Sequence, residues 1–516
     1  MNNAVLFDSA RKIAVVREVV RTHSQYAESD LDPDALLQEE LGIDSIMLAE
    51  IIADLKKRFR GADRVSAEQF DTLGALLHGF AVFELEGTAF PEDVQGEPAP
   101  GNLTMRDFIG SGESDLFAKT RRFGRFLRSR EAAGEFWYGM ASSGLCTSRA
   151  RIFDRAECRE REFLLFASNN YLGLANHPRV IDAIAAAVRD YGATNTGSRL
   201  IGGTTDLHLQ LEQRLARFKG REDCIVFPSG YSANLGTISA LLGANDVAIT
   251  DACNHMSIQD GCKLSGAARK IYAHNDMDAL EAVLQRADDR PGGRLIVADG
   301  VFSMHGDIVD LPGLVRLARK YGAKLLIDDA HATGVLGATG SGTAEHFGMK
   351  GMVDLEVGTM SKALGGQGGF VVGDKEVIDY LRFYANAYVF AATIPATVAA
   401  GLIAALDVLE AEPERLRRLW ENVSYLKSAL DAIGFDTERS ASAIIPIVIG
   451  DEGRAMALGR SVRRRGMFCQ TVVFPGVAVG DARLRISVLE SHTRDDLDEA
   501  VRILIESARE HGLLPH

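Results

Sequence analysis

Residues 352–369 read MVDLEVGTMSKALGGQGG. An apolar run (Val353, Leu355, Val357) predicts a buried strand that stops at Gly358–Thr359, and one lysine, Lys362, follows in a turn of small residues. Lysine is seldom fully buried without a partner. An amine just past a buried strand is either a solvated loop residue or a working amine, and taken alone the first is commoner. Four upstream segments reverse that balance, each placing polar residues just past an apolar run. In FPSGYSAN (227–234) a strand breaks into a turn at Ser229, Gly230 and Tyr231, where helix N-terminal amides can face a phosphate. NHMSIQDG (254–261) puts His255 in a loop, as an imidazole able to stack on a flat ring. DGVFSMHGD (299–307) puts Ser303 just past Asp299. DDAHATGVLG (328–337) ends a strand at Asp328 and sets His331 three residues on. An acid at a buried strand end is costly unless a cation or a ring N–H meets it. Each residue has an ordinary explanation. Together they supply a phosphate cradle, a stacking imidazole, a carboxylate for a pyridinium and an amine for a Schiff base, the set that pyridoxal phosphate requires. No metal is expected, because His255, His305 and His331 lack ligand spacing such as HxxxH.

The elements that must hold these residues follow from the apolar runs. Runs at 224–227, 247–250, 295–299, 325–328, 352–357 and 370–372 alternate with helical patterns. Strands buried on both faces, with helices between them, predict a parallel sheet in an α/β layer fold. Such sheets bind ligands at the carboxyl ends of their strands.

The 516 residues predict two to four domains. A hydrophobic content of 46% with 25% charged residues is that of a globular protein with a sizeable core. The net charge of −14 argues against nucleic acid or an anionic membrane as main partner. No apolar run approaches the roughly 18 residues of a membrane span, and the first twenty residues lack a signal-peptide core. The six cysteines are scattered without a CxxC pair, which predicts reduced thiols, no disulfide frame or zinc site, and a cytoplasmic location.

Residues 4–22 show helical spacing, Asp32-Pro33 opens a second element with Leu36 and Leu37, and Ile46, Ile51, Ile52, Leu55 and Phe59 mark one face of a third. A short helix is expected over 71–80. The spacing predicts a small all-helical bundle in which Asp44-Ser45 stands at a helix start, a capping position. From 84 to 115 periodicity gives way to Gly, Pro, Glu and Ser, a linker signature. The basic, aromatic stretch 117–140 is expected to be an amphipathic packing helix.

Two resemblances add to this reading. LGIDSI around Ser45, in a bundle of this size, resembles an acyl or peptidyl carrier domain. The resemblance implies a 4′-phosphopantetheine arm on Ser45 that holds acyl thioesters, and hence a phosphopantetheinyl transferase and an acyl-loading enzyme as partners. From Phe163 onward the chain resembles the α-oxoamine synthases, a family of fold-type-I pyridoxal phosphate enzymes. The likeness rests on FASNNYLGL (166–174), TGSRLIGGTTDLHLQLE (196–212), the four segments above, TMSKALGGQGG (359–369) and ARLRISVLESHT (482–493), in family order. It implies a mostly parallel large domain (about 166–400) and a smaller α/β C-terminal domain (about 401–516 plus the N-terminal segment). The whole chain would then be a four-helix carrier bundle at 1–83, a flexible linker at 84–115 and a catalytic part at 116–516.

The family resemblance also implies roles. Lys362 would bind the cofactor aldehyde and later take the Cα proton, with a pKa depressed by desolvation and nearby cations. Asp328 would meet the ring nitrogen, His331 and Ser303 the ring hydroxyl, and His255 the ring face. Ser229, Gly230, Tyr231 and Thr359 would hold the phosphate. Arg485 would grip the amino-acid carboxylate, with Asn170 (or Asn169) nearby, in a site between the subunits of a homodimer. The implied reaction is decarboxylative condensation of an amino acid with an acyl thioester, carried on Ser45, to an α-amino ketone. An aminotransferase acting on a carrier-bound carbonyl, or a non-catalytic scaffold presenting the carrier, are the alternatives. ATNTGSR (193–199) and LESH (489–492) depart from the family pattern and leave the identity of the substrates open.

Overall fold

A computed structural model describes residues 3–24, 31–37, 41, 43, 45–62, 65–66, 69–85, 105–108, 115–135, 137–155, 157–287 and 291–515. Asp44, the side chain of Ser45 and most of the expected linker lie outside them. The chain divides into two compact units, one of Met1–Gly139 with Lys270–Ala273 and Phe474–Ala478, the other of the remainder.

In the first unit, helices Asn3–Ser24, Ser45–Arg58 and Leu73–Ala81 share a core that includes Val16, Val20, Leu48, Ile51, Leu55, Leu76 and Phe80. Ile51, Ile52 and Leu55 recur at helical spacing, so one stripe of the middle helix is inward and its lysines are outward. Ser45 opens that helix. The structure differs from the sequence expectation at two places. The helix stops at Arg58, and Phe59 enters a two-residue strand paired with Glu84–Leu85. Residues 31–37 form a turn and a single bridge from Leu36 to Thr72 rather than a helix. Thr72 then caps the last helix by accepting from the amide of Ala75 at 3.1 Å. The basic stretch forms helix Ala118–Ala132, which buries Phe126 against Phe108, with ring centroids 5.0 Å apart.

The second unit is built on a seven-stranded sheet. Its strands are β1 (Asp223–Phe227), β2 (Val247–Asp251), β3 (Ala268–Tyr272, of which only Ala268 and Arg269 fall in this unit), β4 (Arg294–Asp299), β5 (Lys324–Asp328), β6 (Leu355–Thr359) and β7 (Gly369–Gly373), in the order β1-β7-β6-β5-β4-β2-β3. Strands β2, β4, β5 and β6 pair in parallel. Strand β7 runs antiparallel to both β6 and β1, which the apolar runs alone did not announce. The segment between β6 and β7 is too short for a parallel crossover, so the chain returns as a hairpin. Strand β6 extends through Thr359, and Val353 lies buried just before it. The sequence reading had no strand at β3, whose first three residues are half-exposed and show no apolar run.

The carboxyl ends of the parallel strands, Asp251, Asp299, Asp328 and Thr359, lie on one edge of the sheet. Phe227 joins them, because β1 and β6 both pair antiparallel with β7. A smaller antiparallel sheet of Ile444–Gly450, Ala482–Ser487 and Gln470–Val472 carries helices Glu452–Arg464 and Arg494–Glu510. Strand Arg159–Leu165 pairs in parallel with Met467–Phe468, so the segment before the large sheet is tied to the C-terminal part. One core runs through both, from Leu164 and Leu172 to Leu484, Ile486 and Leu504. No helix among the described residues is long and apolar enough to cross a membrane.

Candidate active site

A cavity of about 270 Å³ opens at the carboxyl edge of the sheet. Ser229, Gly230, Tyr231, His255, Ser303, Asp328, His331, Thr359 and Lys362 all line it. The sequence reading picked these residues from separate loops, and the fold brings them to one place.

Asp328 ends β5 at the floor. Its carboxylate accepts from Nδ2 of Asn234 at 2.6 Å and from the amide of Ala330 at 2.9 Å. Nδ2 of Asn234 also lies 2.9 Å from Oγ of Ser257. Asp299, the last residue of β4, is buried beside it. Burial, and then the charge of Asp328, push the Asp299 carboxyl well above the usual carboxylate range.

Lys362 follows β6 in the hairpin loop. Burial lowers its amine from the ordinary lysine value to about 8; Asp328 pulls the other way and Arg485 reinforces the fall. His331 is buried, with Nδ1 2.8 Å from the hydroxyl of Tyr171. Burial, then the cations Lys362 and Arg485, hold its ring well below the ordinary histidine value. His255 caps the helix Met256–Ser265, its Nδ1 accepting from the amide of Ser257 at 3.3 Å. Burial lowers its pKa as well, so a neutral ring faces the cavity.

At the other end of the cavity, Ser229 caps helix Gly230–Leu241 by accepting from the amide of Ser232 at 3.0 Å. The first turn of a helix carries N–H groups without intrahelical partners and a partial positive charge. Thr359 and Ser361 add hydroxyls 2.8 Å apart. Close packing builds this corner. A Cβ on Gly230 would stand 3.0 Å from Cβ of Thr359, and one on Gly369 would stand 2.4 Å from the carbonyl oxygen of Ser229. Tyr231 is half-exposed and its hydroxyl donates to Asp260.

Arg485, on Ala482–Ser487, is buried and held in place. Nε donates to the Ser303 carbonyl at 2.6 Å and Nη1 to Oγ of Ser487 at 3.1 Å, while Oδ1 of Asn169 lies 3.4 Å from Nη2. Of the two adjacent asparagines it is thus Asn169 that faces this arginine. The amide of Asn170 is used locally, donating to the Cys146 carbonyl at 3.2 Å and accepting from the amide of Ala175 at 3.2 Å. One departure from the family pattern, at 489–492, makes structural contacts. Glu490 pairs with Arg415 and Arg418, and His492 stacks on Phe166 at 4.1 Å.

Asn234, Ser257, Tyr171, Ser361 and Asp299 escaped the sequence reading as site residues, though all but Tyr171 line the cavity. Asn234 left one signal, as a polar residue at an inward position of a helix in FPSGYSAN.

The residues present fit pyridoxal phosphate. One corner offers amide dipoles and hydroxyls to an anion. The middle offers a carboxylate, two neutral imidazoles and a readily deprotonated amine to an aldehyde-bearing aromatic ring. The glycines keep the corner clear of side chains.

The phosphopantetheine attachment site family matches residues 14–78, and the aminotransferase class I and II family matches residues 161–504. The chain is 53% identical, over 97% of its own length and 81% of the relative's, to 4-hydroxy-2,2'-bipyrrole-5-methanol synthase PigH of a Serratia species. It is 46% identical to an 8-amino-7-oxononanoate synthase of Bacillus subtilis, over 69% of this chain and 90% of that one. Among solved structures it resembles a serine palmitoyltransferase from S. paucimobilis, with a TM-score of 0.74 and 31% identity, covering 78% of this chain and 100% of the other.

Proposed function

Because the chain belongs to the aminotransferase class I and II family, as an α-oxoamine synthase with a phosphopantetheine attachment domain ahead of it, we propose a division of labour among its residues. The reaction is the decarboxylative condensation of an amino acid with an acyl thioester, with pyridoxal 5'-phosphate as cofactor. The observation that carries the assignment is the buried Lys362 amine, lowered to about 8, in the same cavity as Asp328 and beneath the charge of Arg485.

When bound, pyridoxal phosphate supplies an electron sink for the pair left on the amino acid's Cα. Gly230, Tyr231, Thr359 and Ser229 would hold its phosphate through the helix first turn and the hydroxyls. Asp328, aimed by Asn234 and the Ala330 amide, would present its carboxylate to the ring nitrogen. His255 would cover the ring face, and His331 and Ser303 would meet the ring hydroxyl, since all three line the cavity. Lys362 would hold the aldehyde through Nζ, and the same amine, when free, would take the Cα proton. The guanidinium of Arg485, its Nε fixed on Ser303 and its Nη atoms beside Ser487 and Asn169, is oriented to meet the substrate carboxylate. The electron pair from Cα attacks the acyl carbon, the thiol leaves, and the carboxyl group departs as carbon dioxide.

The likeness to the Serratia relative spans both units and supports an acyl group delivered on an arm at Ser45. That arm requires a phosphopantetheinyl transferase to attach it and a loading enzyme to charge it. Family likeness further supports a homodimer with the site between subunits. The product in that relative's name, 4-hydroxy-2,2'-bipyrrole-5-methanol, is the first to assay for.

The test is to load Ser45 with acyl groups, add single amino acids, and follow carbon dioxide together with the intact mass of the chain. Loss of one carbon dioxide per acyl group released, abolished in Lys362→Ala along with the visible cofactor band, is expected. Release of an α-keto acid without carbon dioxide would instead identify a transaminase.

A further inference from the structure

Three loops at the carboxyl edge of the sheet bring a second set of reactive side chains together, outside the residues that line the active cavity. Cys253 follows β2, His274 follows β3 and His305 follows β4. The thiol sulfur and one nitrogen from each ring all lie within 4.8 Å of one another. We propose that Cys253, His274, His305 and Asp307 form a binding site for a divalent transition-metal ion of the zinc type.

The distances suit such an ion. Sγ of Cys253 is 4.0 Å from Nε2 of His305, and Nε2 of His274 is 3.2 Å from Oδ2 of Asp307. Tetrahedral zinc with thiolate and imidazole ligands sets neighbouring donor atoms about 3.3–3.6 Å apart. Closing the trio of Cys253, His274 and His305 by about an ångström at its widest, through side-chain rotation, gives that geometry, with Asp307 adjoining it through His274. The donor set of one thiolate, two imidazoles and one carboxylate selects zinc or cobalt(II) over magnesium or calcium, which prefer oxygen alone.

The surroundings are those of a built site. Nδ1 of His274 donates to Oδ1 of Asp251 at 2.9 Å, which fixes the ring so that Nε2 points to the cluster. A carboxylate behind a histidine in this way is the usual outer partner of a metal ligand. Asp251 is itself held by the amides of Cys253 at 2.8 Å and Asn275 at 2.7 Å. Arg483, the buried cation nearby, is paired with Glu438 and Asp481; Oδ2 of Asp307 accepts from Nδ2 of Asn275 at 3.2 Å, which leaves Oδ1 to the ion.

Hydrogen bonding within the chain pairs His274 with Asp251 and Asp307 but leaves other polar atoms of the cluster unmet. Nδ1 of His305 and Oδ1 of Asp307 are buried without a hydrogen-bond partner among the described residues. The neighbours of His305 Nε2, the Cys253 sulfur and Oδ2 of Asp481, stand at 4.0 and 3.9 Å, longer than normal hydrogen bonds. Buried polar groups are otherwise almost always paired. No compact motif flagged the site in the sequence, because its ligands come from three loops spread over more than fifty residues. Two of those loops also carry His255 and Ser303, so a bound ion would tie together two walls of the active cavity. The inference stands independently of the reaction proposed above.

The experiment is to strip the holoenzyme with a chelator, add Zn²⁺ or Co²⁺ alone, remove excess by gel filtration, and measure retained metal. One equivalent of zinc per chain is expected. Cobalt should give the intense visible bands of a tetrahedral site, at longer wavelength than the cofactor band. Cys253→Ser and His305→Gln should each abolish those bands while retaining cofactor and near-ultraviolet circular dichroism. Asp251→Asn should weaken zinc about 10–100-fold. Two separate variants guard against one that fails to fold. Lys362→Ala should keep its zinc, which separates a failure of this site from a failure of the proposed reaction. Wild-type protein that retains no metal, or variants that retain as much as wild type, would overturn the proposal.

Discussion

At the scale of single residues, the lowered amine of Lys362 has a measurable consequence. An ordinary lysine, with a pKa near 10.4, is almost wholly protonated at pH 8, whereas one titrating at about 8 is half neutral there. Only the neutral amine attacks an aldehyde. Uptake of pyridoxal phosphate by stripped protein should therefore accelerate as pH rises toward about 8 and level off above it, followed by stopped-flow absorbance. A rate still climbing tenfold per unit well above that pH would contradict the assignment. Asp328 opposes the fall in the Lys362 pKa, so Asp328→Asn should move the plateau to lower pH. A second prediction concerns Asn234, whose Nδ2 bridges Asp328 and Ser257. Asn234→Leu leaves a buried carboxylate short of a donor and should cost about 1.5–3 kcal/mol in urea unfolding. A loss within error of zero would mean that Asp328 finds another donor. These two residues also mark what the sequence disclosed. Lys362, Asp328 and His255 were legible because each stands just past an apolar run. Asn234 and Tyr171 were not, because they meet their partners 94 and 160 positions away, and no local pattern encodes such a meeting.

At the scale of elements, the β6–β7 hairpin positions the reactive amine, and a glycine decides how tightly. A Cβ at position 369 would stand 2.4 Å from the Ser229 carbonyl oxygen and 2.6 Å from Cα of Gly230. Both are backbone atoms, so no side chain can swing away, and the helix N-terminus must move. Gly369→Ala should cost about 1–3 kcal/mol of stability, typical of overpacking. It should also weaken the cofactor by displacing the amides proposed above to face its phosphate. Thermal denaturation and cofactor dissociation would report the two effects. A stable variant with unchanged cofactor affinity would show that this corner does not bind the phosphate. The direction of β7 was hidden in the sequence for a related reason. A strand buried on both faces reads the same parallel or antiparallel, and only the length of its connection tells them apart. Strand β3 was hidden because half-exposed Lys270 and its neighbours leave no apolar run.

At the scale of the whole molecule, a carrier fused to its own synthase raises the question of which site the arm serves. The stretch 84–115, read from sequence as a linker of about 30 residues, would have an end-to-end distance of roughly 30 Å. A tether of that kind gives an effective concentration on the order of millimolar. At micromolar protein, an intact loaded chain should therefore turn over about 100–1,000 times faster than the same chain after proteolytic cleavage within 84–115. Its rate per chain should also not change on dilution, whereas the cleaved protein should slow in proportion. Equal rates before and after cleavage would show that the arm does not deliver in cis. Mixing Ser45→Ala chains with Lys362→Ala chains then asks whether delivery crosses between subunits. Each variant alone lacks either the arm or the amine, so neither turns over. In a homodimer whose carriers reach the partner's site, the mixture should regain about a quarter of wild-type activity, from a statistical half of heterodimers with one working pair each. A mixture as silent as its components would confine each arm to its own chain's amine.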